Sequence, residues 1–532
     1  MRGDDMNQWQ PLTHPVHHWT VRKPAAESTR GVVVSQAYDA SAAGVAVLDA
    51  GGNAVDAAVA VAFALSVVEP WNSGLGGIGF ALHHAHDRKA ATSIHFGPVA
   101  PRRLRPEMFP LTGRPGTELF RWPQVQDDMN AHGPLSFCLP TAVAGYGSML
   151  ERWGTMPLAE VMQPALALAR RGLTTDWFTT LMLAQAAPVM RRYAESARIF
   201  LRDGLPPIPP YQGTPDFMPL GRLSDTLEQI AHAGWRDFYR GDLARTIVED
   251  IEKLGGVIGR EEMAEYEIDT ADALPVQWGD STIQLSAGLN AGSTLADVLA
   301  MLPPPALRGG AGEPSAQWYA DIAKALKAAY RKRLDEGEDP HAEKGCTTHI
   351  NVCDANGSMV ALTTTLLSSM GSRVVLPSTG FIMNNGVMWF DPRPGTSNSI
   401  AGGARALSNM CPAIVSRNGR PVMVGGAAGG RRIMAAIAQL LLVVHDFGMD
   451  VEKAAHWPRI DVSSPDKVSA DRRLPSEVIA ALKALGECDV VDHSVLPINF
   501  ARPGIIERFD GVTARGVSDA LSPWSAALGS LN

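Results

Sequence analysis

A short hairpin past the middle of this 532-residue chain limits what the rest can fold into. Gly345-Cys346-Thr347-Thr348-His349-Ile350-Asn351-Val352 follows a soluble linker over 336–345 and enters a strand pattern. Ile350 and Val352 alternate there against His349 and Asn351. Asp354-Ala355-Asn356-Gly357 supplies a turn, and residues 359–365 return as the second strand. If the Cys346-Thr347 bond is cut, Thr347 carries a free α-amine with a pKa near ~8. That amine can take the proton of the residue's own hydroxyl, so one residue supplies nucleophile and base. The alternative is an uncut edge strand with no chemistry, and the local sequence leaves both open.

The length allows two or three domains, or one large core with attachments. The formal net charge is −8, and no basic run exceeds Arg331-Lys332-Arg333, so nothing points to nucleic acid. Residues 57–68 form the longest apolar run, too short to span a membrane, and read as a buried helix. Residues 1–11 carry two acids and no apolar core, unlike a secretory signal. The cysteines at 138, 346, 353, 411 and 488 are odd in number and lack metal-ligand spacing. A reducing, cytoplasmic setting is the expectation.

Along the chain, residues 1–30 read as an irregular lead-in, with His14, His17 and His18 as weak metal candidates. A strand over 31–35 and a helix over 39–50 follow. Asn53 is a natural N-cap for the helix over 54–68, with Asp56 reaching back. Ser73-Gly74-Leu75-Gly76-Gly77-Ile78-Gly79 imitates a dinucleotide-binding loop, but a strand follows it where a helix is required. It reads better as backbone passing close to a buried site. His83, His84 and His86 are expected at a solvated hairpin tip, and 102–135 as a surface excursion. Residues 140–260 are mostly helical, and Ser315 caps a helix over 316–334. The glycines over 425–430 open an apolar helix over 431–447, and their N–H groups form a ready site for an oxyanion. A phosphate cradle or plain turn is the alternative, although no Lys-Ser/Thr follows.

Six motifs stand in a fixed order: Asn53-Ala54-Val55-Asp56-Ala57-Ala58, Ser73-Gly74-Leu75-Gly76-Gly77, Thr347-Thr348-His349, the stretch 380–385, Ser408-x-Met410-x-Pro412 and Gly429-Gly430-x-Arg432-Ile433. Together they resemble the γ-glutamyltransferase family over residues 31 to about 511. The resemblance implies a four-layer αββα sandwich of the N-terminal-nucleophile hydrolase type, an α/β (α+β) fold made as a proenzyme. It implies self-cleavage between Cys346 and Thr347 into a large fragment, 1–346, and a small one, 347–532, that stay together as a heterodimer. Thr347 is then the nucleophile, Thr365 the supporting hydroxyl, and Gly429 and Gly430 the oxyanion hole.

The departures from that family concern substrate binding. Its Arg in Arg-Glu-x-Ala-Pro is Gly97 here, and its Asn two residues past the supporting Thr is Leu367. Its Gln or Glu after Asn-Asn is Gly386, and its amino-gripping Asp is Trp389. Of its Ser-Ser pair only Ser408 remains, beside Asn409. Each lost charge-assisted contact costs roughly 1.5–3 kcal/mol. The loop between Trp389 and Ser408 is also shorter than the family lid, which implies an open, hydrolysis-prone site. The expectation is an amidohydrolase or acyltransferase whose acyl group differs from free γ-glutamyl. Arg373 and Arg431 are candidate partners for a substrate carboxylate, and Trp389 an apolar wall. Glutathione hydrolysis remains the family default. Oxamate amidohydrolase-like and cephalosporin acylase-like amidases are alternatives, and an unprocessed binding or scaffold relative is the alternative from another class. The partner is a small-molecule amide, and the chemistry needs no metal or organic cofactor.

Overall fold

The computed structural model describes residues 21–116, 122–303, 312–335, 346–463 and 465–531. The linker at 336–345 and His14, His17 and His18 lie outside the described residues.

The strands and helices that build the layers are numbered in chain order. The first part of the chain supplies β1 (Ala26–Ser28), β2 (Gly31–Ser35), α1 (Tyr38–Asp49), α2 (Ala54–Val68), β3 (Ile78–His84) and β4 (Thr92–Phe96). It continues with β5 (Asp269–Asp272), β6 (Leu274–Trp278), β7 (Ser281–Leu285), α3 (Gly292–Met301) and α4 (Ala316–Asp335). After the linker come β8 (Cys346–Asp354), β9 (Met359–Leu367), β10 (Ala413–Arg417), β11 (Arg420–Ala428) and α5 (Arg432–Phe447). The chain closes with β12 (Arg502–Arg508), β13 (Ala514–Ser518) and β14 (Ala526–Gly529).

Two seven-stranded sheets face each other, with orders β1-β13-β12-β11-β10-β7-β6 and β14-β2-β8-β9-β3-β4-β5. Every pairing in both is antiparallel. The two-residue period of a strand divides its side chains between layers. Val33, Ile350, Val352, Val360 and Leu362 pack with α1 and α2 in one core. Their neighbours Val32, Val34, Cys353, Met359 and Ala361 meet Ile414, Val424 and Ile506 between the sheets. Ile283, Leu285, Val415, Met423 and Ile505 pack with α3, α4 and α5 on the far side. The result is a four-layer αββα sandwich, as expected.

Helix α2 is central because it is apolar on nearly every face, and all but its last residue are buried. Asn53 Oδ1 accepts from Val55 N at 2.8 Å and Asp56 N at 3.1 Å, while Asp56 Oδ2 accepts from Asn53 N at 2.8 Å. This capping box fixes where the helix starts. Ser315 likewise caps α4, its hydroxyl accepting from Trp318 N at 3.2 Å.

Four local expectations change. Residues 26–28 form an edge strand on β13, where an irregular lead-in was expected. His83 and His84 are buried inside β3, because the strand runs on before turning, and only His86 follows it. The excursion over 102–135 is partly internal: Leu104, Phe109, Trp122 and Val125 are buried against Phe390 and Ile400. The β8–β9 hairpin is no edge, since β2 and β3 flank it. That position commits its register from both sides. Among the described residues no helix is long and apolar enough to cross a membrane, and no group of three or more His, Cys, Asp or Glu is placed to hold a metal.

Candidate active site

Thr347 enters the sheet at an irregularity in the ladder. Cys346 pairs with Leu367 and Thr348 with Thr364, so Thr365 and Leu366 together oppose Thr347. Such a bulge turns side chains out of the regular alternation. Here it aims the Thr365 hydroxyl at the Cys346 carbonyl, to which it donates a short hydrogen bond. The Thr365 hydroxyl oxygen in turn accepts from Leu367 N at 2.8 Å. Leu367 has φ of +87°, rare for a branched side chain and a sign of a backbone held by its surroundings. The holding contacts come from the segment after α2: Leu366 N donates to Asn72 O at 2.8 Å, and Met370 N to Trp71 O at 3.0 Å.

The glycines at 76, 77 and 79 allow this crowding. A Cβ at Gly76 would fall 2.2 Å from Ile382 O, at Gly77 3.0 Å from Thr365 O, and at Gly79 2.3 Å from Thr363 O. The expected close backbone passage is therefore against β9 at Gly77 and Gly79 and against Ile382 at Gly76. Asn384 pins the adjoining loop, donating to Gly76 O at 2.7 Å and accepting from Cys138 N and Gly386 N at 2.9 Å each.

His349, two residues into β8, belongs to the scaffold. Its Nδ1 lies 2.8 Å from Thr363 Oγ1 and its Nε2 2.8 Å from Asn351 Oδ1. Burial lowers its pKa to about 4, so the ring is neutral, donating to Asn351 and accepting from Thr363. Gly426 on the opposite sheet packs flat on this ring, where a Cβ would lie 2.0 Å from Cε1. That requirement, together with sheet pairing, keeps residues 425–428 in β11 rather than in a helix-opening turn. The glycine turn proper is Gly429-Gly430, with φ of +144° and +61°, and α5 begins at Arg432. Ala428 is paired with Arg502, and Arg502 acts electrostatically on Cys346. The turn therefore lies at the Thr347 end of the sandwich. Neither glycine N–H donates to a protein group among the described residues, and both residues are partly exposed.

The positions that depart from the family pattern are closed as well as altered. A Cβ at Gly97 would lie 2.6 Å from the Phe80 ring, and at Gly386 2.7 Å from Cys138 Sγ. Trp389 is 5% exposed and shares an apolar cluster with Ile78, Phe80, Leu367 and Met410. Ser408 and Asn409 are held from α4: Arg333 donates to Ser408 O at 2.6 Å and to Asn409 Oδ1 at 3.1 Å. Arg333, the end of the short basic run, is 1% exposed, because the helical period puts it inside. Arg373 has φ of +63° and gives Nη1 to Ala131 O, Ser368 Oγ and Gly371 O at 3.2, 2.9 and 2.8 Å. Its charge still reaches Cys346. Arg431 is buried with its guanidinium 5.3 Å from the Tyr330 ring centre, a packing role on α4. Arg502 and Glu69, also beside Cys346, carry no sequence signal beyond their charge.

Residues 40–345 and 335–527 match the sequence profile described as gamma-glutamyltranspeptidase. The chain belongs to the gamma-glutamyltranspeptidase family. It is 28% identical over 513 residues to the glutathione hydrolase proenzyme of Escherichia coli strain K12, covering 86% of this chain and 85% of that protein. It is 30% identical over 509 residues to the acylase ACY 1 proenzyme of Pseudomonas sp. strain SE83, covering 88% and 89%. Cephalosporin acylase from Bacillus halodurans superposes with a TM-score of 0.82 at 21% identity, over 98% of this chain and 100% of that one. The fold is that of the N-terminal-nucleophile hydrolases, and the family makes this chain an enzyme of hydrolase or transferase type.

Proposed function

We propose that this chain is a self-cleaving N-terminal-threonine amidohydrolase whose acyl group is not free γ-glutamyl. The observation that carries the first half is the Thr365 hydroxyl bonded to the Cys346 carbonyl, with Thr347 next in the chain. Thr347 Oγ attacks that carbonyl, and Thr365 donates to the oxygen as it gains charge. The amide nitrogen takes the hydroxyl proton and leaves, giving an ester. Water hydrolyses the ester, freeing the α-amine of Thr347 and a carboxylate on Cys346. The fragments 1–346 and 347–532 remain together because both sheets interleave strands from each, with β8 and β9 between β2 and β3.

In turnover the α-amine takes the Thr347 hydroxyl proton, and Oγ attacks the substrate amide carbon. Gly429 and Gly430 N–H groups stabilise the oxyanion, an amine or ammonia leaves with the proton, and water releases the acid. The closed positions at Gly97, Gly386 and Trp389 support an altered acyl group, since no family-style amino-acid clamp can be rebuilt there without moving Phe80 or Cys138. The acylase relative, at 30% identity, is consistent with this reading. An oxamate-type or a longer acyl group both suit the lost clamp.

The test is denaturing electrophoresis of the purified chain beside Thr347→Ala, with N-terminal sequencing of the smaller band, then an amide panel. Two bands in the wild type, the smaller beginning Thr347-Thr348-His349, and one band in the variant support the nucleophile. A single band in both removes it. Turnover of a γ-glutamyl anilide at least as fast as oxamate and glutaryl amides would sink the altered acyl group.

A further inference from the structure

A cavity of about 430 Å³ lies between the end of α2, the start of α1 and the last turn of the chain before β14. That volume suits a small ligand. Neither Thr347, Thr365, Ser408, Gly429 nor Gly430 lines it. It is built from both prospective fragments, with Gln36, Glu69 and Trp71 from one and Arg502, Ser518 and Trp524 from the other.

Its polar groups are unusual for a buried wall. Gln36 Oε1, Glu69 Oε2, Trp71 Nε1 and Ser518 Oγ are each buried without a hydrogen-bond partner, on residues no more than 5% exposed. Buried polar atoms are nearly always satisfied, and four orphans lining one cavity point to something that satisfies them. Thr348 faces Glu69 closely enough to lower its pKa, yet without hydrogen-bond geometry. The other oxygen of Glu69 accepts from Asn72 Nδ2 at 2.7 Å. Arg502 is half-buried, and no hydrogen bond or ion pair engages its guanidinium among the described residues. The remaining charges are spent: Lys23 donates to Pro523 O and Ser525 O, Asp39 pairs with Arg171, and Asp176 accepts from Thr179 N and Trp524 Nε1. The apolar side is a stacked pair, Phe178 and Trp524, with ring centres 3.9 Å apart.

We propose that this cavity binds an aromatic α-amino acid, with its carboxylate on Arg502, its ammonium on Glu69 and Gln36, and its ring against Phe178 and Trp524. Ser518 and Trp71 supply neutral donors to the carboxylate. One acid and one base that do not pair with each other within 4 Å match a zwitterion better than they match a simple anion. Burial holds the Glu69 carboxyl above the usual range and Arg502 pulls it partly back, so an ammonium beside it favours the ionised form.

The test is calorimetric titration with L-phenylalanine, phenethylamine and 3-phenylpropionate. The wild-type chain and Thr347→Ala are compared with Arg502→Gln, Trp71→Phe and Ser518→Ala, each checked by circular dichroism. Saturable one-to-one binding of L-phenylalanine is expected, about 10- to 100-fold weaker in Arg502→Gln and several-fold weaker in Trp71→Phe. Both truncated probes should bind at least about tenfold more weakly, and Thr347→Ala should still bind L-phenylalanine saturably. If Arg502→Gln fails to fold, Trp71→Phe and Ser518→Ala decide the matter. Absence of saturable binding, or affinity unchanged in all the folded cavity variants, overturns the proposal. Loss of binding in Thr347→Ala would move the ligand to the acyl site and also overturn it. Failure of self-cleavage leaves this site standing, because the titration does not depend on it.

Discussion

Replacing Thr365 by Val isolates the hydroxyl that meets the Cys346 carbonyl, where cleavage is proposed. Valine keeps the branched shape and strand preference of threonine, so β9 and its bulge should persist. Two hydrogen bonds disappear: the one donated to Cys346 O and the 2.8 Å one accepted from Leu367 N. Leaving the buried Leu367 N–H unsatisfied costs about 1–3 kcal/mol of stability. On the proposed mechanism the larger effect is on self-cleavage, because the carbonyl oxygen gains charge as Thr347 attacks. Loss of one positioned donor to such an oxygen typically slows a reaction about 10²- to 10³-fold, or about 3–4 kcal/mol. The assay follows disappearance of the intact 532-residue chain by denaturing electrophoresis and intact mass, after purification in the cold. Thr365→Ser restores the hydroxyl and should cleave within about tenfold of wild type. Cleavage of Thr365→Val within about threefold of wild type would refute the argument, as would a Thr365→Ser variant equally slow.

Gly426→Ala should destabilise the fold by about 3 kcal/mol or more. Its Cβ would lie 2.0 Å from His349 Cε1 and 2.2 Å from Nε2, forcing the ring off Thr363 and Asn351. Chemical denaturation in the Thr347→Ala background measures this, and a loss below about 1 kcal/mol contradicts the packing described. Trp389→Asp should not restore amino-group binding, since it places a carboxylate in an apolar cluster. A loss of at least about 3 kcal/mol is expected, with no gain of γ-glutamyl turnover. Stability should fall on acidification from pH 6.5 toward 4. The folded His349 resists a proton until about 4 while the unfolded residue takes one near 6.5, so its contribution is complete above 6.5 and lost below it. His349 alone accounts for up to about 1.4 kcal/mol per pH unit across that window, and His83, lowered to about 4 by burial, acts in the same direction. Denaturation midpoints against pH check this, and a flat profile over that interval refutes it.

Much of the layered architecture could be read from local pattern. Alternation of Ile350 and Val352 with His349 and Asn351, the Asn53–Asp56 cap and the all-apolar run after it need only neighbours in sequence to act. Glycines at 76, 77 and 79 likewise announced a close passage, though not against which strand. What local pattern could not convey was anything set by residues distant in the chain. His83 and His84 read as polar tip residues, but β4 and β9 flank β3 and keep both histidines inside. Arg333 showed in the sequence only as the end of a short basic run, but the turn of α4 directs it at Ser408 and Asn409. Residues 425–428 read as a helix-opening turn, but pairing with β10 and β12 and the His349 ring above Gly426 hold them in a strand. By itself the sequence nominated Thr347, Thr365, Gly429 and Gly430 as candidates for the chemistry, through their places in an ordered set of family-like motifs. Only the tertiary structure decided what those residues face. The register slip opposite Thr347 and the closure of Gly97 and Gly386 by Phe80 and Cys138 depend on contacts across the fold, which residue type and order do not encode.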